Sequence, residues 1–202
     1  MLPKSSRLFL FAAVLASAHA KGTPGSPSTS AHGPGTCASG RIASVADAEA
    51  FGRCRTVTGD LTIEGTDLTD LGALSELRAV TGALTIRNNA NLRSLTGLEH
   101  LERLTSLELR ENGLYDTRGV EGLRRVETLV IANNRHLISL RGFRNLEHVD
   151  ALFVSRNPRI AAQLGLFPAL GRVEGAVLVH SNLGLSDHDL ARLLARVSGR
   201  QS

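Results

Sequence analysis

One pattern of hydrophobic and polar positions occurs six times in the chain after residue 56. Each copy has an apolar opening residue, a short apolar-x-apolar segment that predicts a strand with one face inward, and a polar turn. The opening residues are Val57, Val80, Leu104, Val126, Val149 and Val173. Their spacing of 22 to 24 residues is typical of a solenoid, in which each coil buries its apolar side against its neighbours.

A polar residue stands three positions after the last apolar residue of each predicted strand. It is Thr66 in the first copy and Asn in the other five, at Asn89, Asn112, Asn134, Asn157 and Asn182. An inward-turned Asn has both a donor and an acceptor for backbone groups that a turn leaves unpaired. We therefore expect a structural ladder of asparagines that joins each coil to the next.

The segments that return from one strand to the next have Leu at every third position. The clearest example contains Leu92, Leu95, Leu98, Leu101 and Leu104. A spacing of three suits tight turns or 3₁₀ geometry better than a long α-helix. The pattern therefore predicts a parallel β-solenoid of about six coils with few helices between its strands.

Both ends of such a stack need a cover, because the end strands and the core would otherwise lie open. Residues 37–56 predict an N-terminal cap with a short helix near Val45–Phe51. In residues 183–202, Ser186 and Asp189 resemble a capping box. An apolar stripe of helical spacing follows at Leu190, Leu193, Leu194 and Val197. We expect a C-terminal capping helix, with a membrane-surface helix as the alternative.

The first 20 residues have the features of a secretory signal peptide. Lys4 and Arg7 precede an apolar run over residues 8–18, and Ala18-His-Ala20 offers a cleavage site after Ala20. The run is too short for a membrane span, which needs about 20 apolar residues. We expect a protein that is secreted, or located in a periplasm or at a cell surface, without a transmembrane anchor.

Residues 21–36 are nearly all Gly, Pro, Ser and Thr, so we expect a disordered linker between the signal peptide and the cap. In an oxidising compartment Cys37 and Cys54 are expected to pair. Two free thiols and half of a zinc site are the alternatives, although zinc sites usually have closer cysteine pairs and further ligands.

The net charge of +4 does not indicate nucleic-acid binding. Three of the 23 Lys and Arg residues precede Cys37, so the remainder nearly balance the 19 Asp and Glu. The charges alternate in sign along the chain, and aromatic residues make up only 3% of it. Both features disfavour a basic stripe with base-stacking aromatics.

The repeats contain motifs of a known family. Two strand openings read Gly59-Asp-Leu61-Thr-Ile63 and Gly82-Ala-Leu84-Thr-Ile86. Two turns read Asn89-Ala-Asn-Leu92-Arg-Ser-Leu95-Thr-Gly-Leu98 and Asn134-Arg-His-Leu137-Ile-Ser-Leu140-Arg-Gly-Phe143. Together with Cys54, they resemble receptor L domains over residues 37–182. The resemblance implies a leucine-rich-repeat-like, right-handed parallel β-solenoid and an extracellular ligand-binding surface.

The sequence also departs from the receptors that contain such domains. It has no second L domain, cysteine-rich module, transmembrane helix or kinase, and its third repeat reads as a plain leucine-rich repeat. Receptor signalling is therefore not implied. A free-standing, exported copy is more similar to the small secreted L-domain proteins of bacteria.

Outward-facing strand positions form columns across the predicted sheet. The central column contains Thr62, Thr85, Glu108, Val130, Phe153 and Leu178. A neighbouring column contains Glu64, Arg87, Arg110, Ala132, Ser155 and His180. An exposed apolar patch is typical of a partner-binding surface, so we predict a binding face at Val130, Phe153 and Leu178. Arg87, Glu108 and Arg110 are predicted as its charged rim. Chance β-propensity, or cover by a loop or the linker, is the alternative.

No pattern predicts a metal, a cofactor or catalysis. His100 and His148 fall two coils apart, which places them roughly 10 Å from one another, too far to share an ion. No nucleophile elbow, zinc-protease motif or P-loop is found. We therefore predict an exported, non-catalytic module that binds a protein or peptide. The alternatives are a structural or self-associating envelope protein and, less favoured, a glycan-acting solenoid enzyme.

Overall fold

The computed structural model describes residues 35–161, 166–171 and 173–198. The expected signal peptide and nearly all of the expected linker lie outside these residues. The strands are β1 (Thr36–Ile42), β2 (Thr56–Glu64), β3 (Ala79–Val80), β4 (Ala83–Arg87), β5 (Ser106–Arg110), β6 (Arg125–Ala132), β7 (His148–Ser155) and β8 (Val177–His180). The α-helices are α1 (Val45–Phe51) and α2 (Asp187–Val197), and short 3₁₀ helices span Gly72–Leu74 and Arg141–Phe143.

The strands form one sheet in which every described pairing is parallel. Its order is β1-β2-β4-β5-β6-β7-β8, and the short β3 pairs with β2 beside this path. Successive coils therefore contribute successive neighbouring strands. This confirms the predicted β-solenoid of about six turns with a helix at each end.

The core lies between the sheet and the returning segments. Inward residues of neighbouring strands face one another in register, as Leu84, Leu107 and Leu129 do, and all three are fully buried. The five leucines of the second return, at positions 92, 95, 98, 101 and 104, are buried as well. This segment turns through bonds between residues three apart, such as Leu98 N–H to Leu95 O at 3.1 Å. Leu therefore recurs at every third position, because each tight turn brings the third residue back to the core.

The five asparagines lie in a buried row at the end of the strands. The Asn112 side chain donates through Nδ2 to Ile86 O at 2.8 Å. Its Oδ1 accepts from the Asn89 backbone N–H at 3.2 Å and from Asn89 Nδ2 at 3.0 Å. The Asn112 backbone N–H in turn donates to Asn134 Oδ1 at 3.0 Å. Each side chain therefore satisfies backbone groups of the coil before it, and the row continues from Thr66 to Asn182.

The N-terminal cap contains a strand that the sequence pattern does not indicate. β1 pairs with β2 in parallel and shifts register between Ala38 and Gly40. Its sequence, TCASGRI, lacks the apolar alternation of the repeats because a glycine stands at position 40. The Phe51 ring fills that place, since a Cβ on Gly40 would meet it at 2.5 Å. Pairing with β2 and packing on α1, rather than local pattern, make this segment a strand.

Candidate functional site

The outward residues of the sheet form the columns that the repeat spacing predicts. Across the central column, Thr85 faces Glu108, Glu108 faces Val130, Val130 faces Phe153, and Phe153 faces Leu178. Such neighbours lie about 4.8 Å apart across parallel strands. The structure thus brings Val130, Phe153 and Leu178 together on one face.

The apolar half of this face becomes more exposed toward the C-terminal end of the solenoid. Val130 and Phe153 are half-buried, because the side chains of neighbouring strands on both sides reduce their solvent exposure. Leu178 lies on the last strand and is 49% exposed. In the neighbouring column Ala132 is buried, so the flank contributes less open surface than its outward position suggests. The accessible apolar area is centred on Phe153 and Leu178.

The charged half of the face consists of ion pairs within the chain. Glu64 lies 3.0 Å from Arg87, between their charged atoms, and 3.5 Å from Arg41. Glu108 pairs with Arg110 two positions further along the same strand. Such partly exposed pairs contribute about 0–1 kcal/mol each to stability. Of these residues, Glu108 and Arg110 adjoin the apolar half, since they face Val130 and Ala132 on the next strand.

Arg41 belongs to this face but is missing from the sequence-predicted set. It pairs with Thr62 in register and so extends the central column by one strand. The pattern missed it because β1 has no apolar-x-apolar segment. The signal available in the sequence was the apolar Ile42, which follows Arg41 as Ile63 follows Thr62. In the structure Ile42 is fully buried.

The carboxyls with clearly displaced pKa values belong to helix caps. The pKa of Asp189 is lowered, first because its carboxylate accepts from the Ser186 hydroxyl at 2.6 Å and then because it accepts from the Ser186 N–H. The pKa of Asp47 is lowered by the Ala43 N–H and then by the Ser44 hydroxyl. Both acids cap the N-terminus of a helix, and neither belongs to the sheet columns.

In the part of the chain that the structure describes, no three His, Cys, Asp or Glu side chains are grouped to hold a metal ion. His180 lies at the end of the neighbouring column, where its Nδ1 is 3.0 Å from the Ser181 hydroxyl. Within the same residues, no helix has the length and apolarity needed to cross a membrane.

The two cysteines form the disulfide Cys37–Cys54, with 5.7 Å between their Cα atoms. It joins β1 to the short segment between α1 and β2, so it closes the N-terminal cap. A disulfide of this kind fits an oxidising, extracytoplasmic environment.

The receptor L domain family model matches residues 53–165, more than half of the chain. The protein therefore belongs to the receptor L domain family, whose members are non-enzymatic modules that bind protein ligands. The match begins at Arg53, at the end of the N-terminal cap, and ends in the fifth coil. Comparisons with curated proteins and with solved structures give no match.

Proposed function

We propose that this protein is a non-catalytic binding module that recognises a protein or peptide through the exposed face of its parallel sheet. Membership of a ligand-binding family supports the general role. The neighbouring positions of Val130, Phe153 and Leu178 support this face as the site. Aromatic residues are enriched in the cores of protein-binding surfaces, and Phe153 is the half-buried aromatic residue of this patch.

The ion pairs beside this patch serve as its rim. Glu64 is already neutralised by two arginines and Glu108 by one. A partner therefore gains little new charge pairing there. Rim charges of this kind mainly select partners and orient their approach. The affinity is expected to come from Phe153 and Leu178, and the specificity from Arg87, Glu108 and Arg110.

Site-specific photocrosslinking tests this surface. A photoreactive phenylalanine at position 178 or 153 is expected to capture a partner from the producing organism. The same group at exposed Glu102, outside the strands, serves as the control. With the photoreactive group at position 178, the second substitution Phe153→Ser should abolish capture. Thr62→Ser, in the same column, should not. Equal capture from Glu102, or a folded Phe153→Ser protein that retains its partners, would contradict the proposal.

Self-association is the second candidate function, and exposed leucines at the last coil favour it. Leu183 is 85% exposed, and Leu178 and Leu194 are 49% and 46% exposed. If these residues bind a second copy, the mass in solution grows with concentration and Leu178→Glu prevents the growth. A constant monomer mass over the whole concentration range would exclude this candidate.

We also propose that the chain is exported and that its signal peptide is cleaved near Ala20. The Cys37–Cys54 disulfide supports this location. Sequencing the N-terminus of the mature protein is expected to give Lys21 as the first residue. Recovery of an intact Met1 terminus from the native source would contradict it.

A further inference from the structure

A polar groove lies beside the sheet, where the turn after the ladder asparagine is one residue shorter in the third coil than in the coils on either side. Asn112 is followed by Gly113 and then by the buried Leu114. In the coils on either side, two residues separate the ladder asparagine from the next buried leucine, in segments 89–92 and 134–137. The missing residue leaves a groove of about 820 Å³ between these two coils.

Gly113 forms the floor of the groove and cannot be replaced by a larger residue. A Cβ at this position would lie 2.1 Å from Ala90 O, so the two coils touch through their backbones. The walls rise on either side at Ala90 and at Arg135 with His136. The groove is therefore fixed by backbone packing and does not depend on a flexible loop.

Four residues along the groove share a strained backbone. They precede the ladder asparagines and are Asn88, Glu111, Asn133 and Arg156, with φ between 55° and 58°. The first coil has Gly65 at this position, where glycine adopts the conformation without steric cost. Asn also tolerates the left-handed region, whereas for Glu111 and Arg156 it costs of order 1 kcal/mol. Polar side chains stand in a row here despite that cost.

The charges in the groove favour an anionic ligand. Arg135 and Arg156 are exposed, and Glu111 is the carboxylate among them. Among the described residues, none of these three belongs to an ion pair, whereas Arg110 on the adjoining sheet is held by Glu108. The two guanidiniums therefore have free donors in the fork geometry that matches a carboxylate.

The remaining lining favours a carbohydrate over a peptide. Ala90 and Gly113 are the apolar residues of the lining, so the groove has no pocket for an apolar anchor. Its polar side chains repeat at the strand spacing of about 4.8 Å, close to the advance of a pyranose chain. An extended peptide repeats its same-side residues after about 6.6 Å.

An exposed aromatic ring stands next to the groove. Tyr115 is 44% exposed, and its ring centroid lies 5.8 Å from that of His136. The Arg93 guanidinium lies 5.4 Å from the Tyr115 centroid, and its Nη1 is 3.5 Å from Gly113 O. The ring is thus held beside the groove, with the Arg93 guanidinium over one of its faces.

We infer that this groove binds an oligosaccharide that carries carboxylate groups. Arg135 and Arg156 bind the carboxylates, and the amides of Asn88 and Asn133 bind hydroxyls. Tyr115 stacks on an adjoining sugar ring. This site is distinct from the proposed protein-binding face and involves no catalysis.

Calorimetric titration of the full mature protein with a galacturonate tetrasaccharide tests the inference. Maltotetraose is the neutral comparison and a tetraglutamate peptide the acidic one. The uronate is expected to bind, and Arg135→Gln and Arg156→Asn are each expected to weaken binding at least about tenfold, since each removes a charge-assisted hydrogen bond. Asn is chosen at position 156 because it tolerates the left-handed backbone.

Arg125→Gln is the matched control. Arg125 is exposed at the opposite end of the strand that leads to Asn133, and the described residues give it no ion partner. This variant should bind as the parent does. Ala90→Glu should abolish binding, because it adds bulk and negative charge at an exposed wall position. Thermal melting verifies that each variant is folded.

Three results would overturn the inference. Uronate binding no tighter than maltotetraose binding would exclude recognition of the carboxylates. Equal binding of tetraglutamate with the same arginine dependence would make the groove a docking site for acidic proteins. An equal loss in Arg125→Gln would mean general charge attraction. Phe153→Ser is expected to leave uronate binding unchanged, which separates this test from that of the sheet face.

Discussion

The two ends of the solenoid are closed by different means. At the N-terminal end, β1 covers the first repeat strand, and the Cys37–Cys54 disulfide joins β1 to the segment between α1 and β2. Phe51 of α1 is 3% exposed and lies over Gly40. This end is sealed by a strand, a buried aromatic ring and a covalent bond.

At the C-terminal end, the last strand is only partly covered. The inward residues Val177 and Val179 are half-buried, whereas the inward residues of the middle strands are fully buried. Helix α2 packs through Leu193 and Val197, and its Val197 O accepts from the Val173 N–H at 3.0 Å. Leu178, Leu183 and Leu194 remain exposed.

This difference indicates where stability and binding are located. Each coil of a solenoid is stabilised by its two neighbours, so an end coil needs a substitute for the missing one. The N-terminal end has such a substitute. The C-terminal end has only part of one, and its uncovered apolar surface adjoins the proposed binding face.

The largest effect is expected from Phe51→Ala in the sealed end. Removing a buried phenylalanine costs about 3–5 kcal/mol of unfolding free energy. Leu194→Ala, on the exposed side of α2, is the control and is expected to change it by less than about 0.5 kcal/mol. Urea unfolding measures both. Equal losses would mean that the buried Phe51 ring contributes no more to stability than a surface leucine.

Replacing both cysteines by serine is expected to cost about 3 kcal/mol of unfolding free energy, because the unfolded chain regains the freedom that a 17-residue crosslink removes. Urea unfolding of the double variant measures the loss. The parent protein in reducing agent should unfold at the same urea concentration as the variant. An unchanged midpoint in the variant would show that strand pairing alone seals the N-terminal end.

Amide hydrogen exchange is expected to be faster in β8 than in β2. Val179 should exchange at least about tenfold faster than Ile63, because a half-covered end strand opens locally without unfolding of the whole sheet. Exchange followed by NMR or mass spectrometry measures this ratio. Equal rates would indicate that α2 protects the last coil as well as β1 protects the first.

The helix caps should give smaller effects. Ser44→Ala and Ser186→Ala each remove a hydroxyl that accepts from a backbone N–H, of Asp47 and Asp189 respectively. Each is expected to cost about 1 kcal/mol. Ser44→Ala should lower global stability in urea, whereas Ser186→Ala should mainly fray α2 and reduce its helical circular dichroism. A loss of global stability in Ser186→Ala but not in Ser44→Ala would mean that the C-terminal end is the more firmly closed one.

The smallest effect is expected with pH. The pKa values of Asp47 and Asp189 are lowered in the folded protein, so each group adds stability at neutral pH. That contribution is lost as the pH falls between about 5 and 2, when the folded carboxyls become protonated. Asp189→Asn should remove the pH dependence of the α2 signal in this range and leave the α1 contribution intact. If the α2 signal of Asp189→Asn changed with pH as that of the parent does, the Asp189 carboxyl would not be the cause of the pH dependence.

Much of the fold was predictable because one repeat occurs again and again. Any single coil is a weak signal, but the columns Thr85–Glu108 and Phe153–Leu178 follow once the repeats are aligned. Parallel strands of equal period must pair in register when each inward side chain needs a buried neighbour. The predicted sheet face followed from that register alone.

The rest depended on contacts outside the repeat. β1 and its Arg41 have no repeat pattern of their own, and only pairing with β2 reveals them. The groove at Gly113 comes from one missing residue, which was visible as a shorter spacing but not interpretable without the neighbouring coils. The exposure of Leu178 and the burial of Ala132 depend on which strands have neighbours on both sides.

The sequence by itself determined the period, the inward leucines and the buried asparagines, because these follow from the chemistry of each residue repeated at a constant spacing. Tertiary structure decided how the ends are closed, which outward residues remain open to solvent, and where a groove forms. Those properties depend on residues far apart in the chain, and solvent exposure is set only when the coils are stacked.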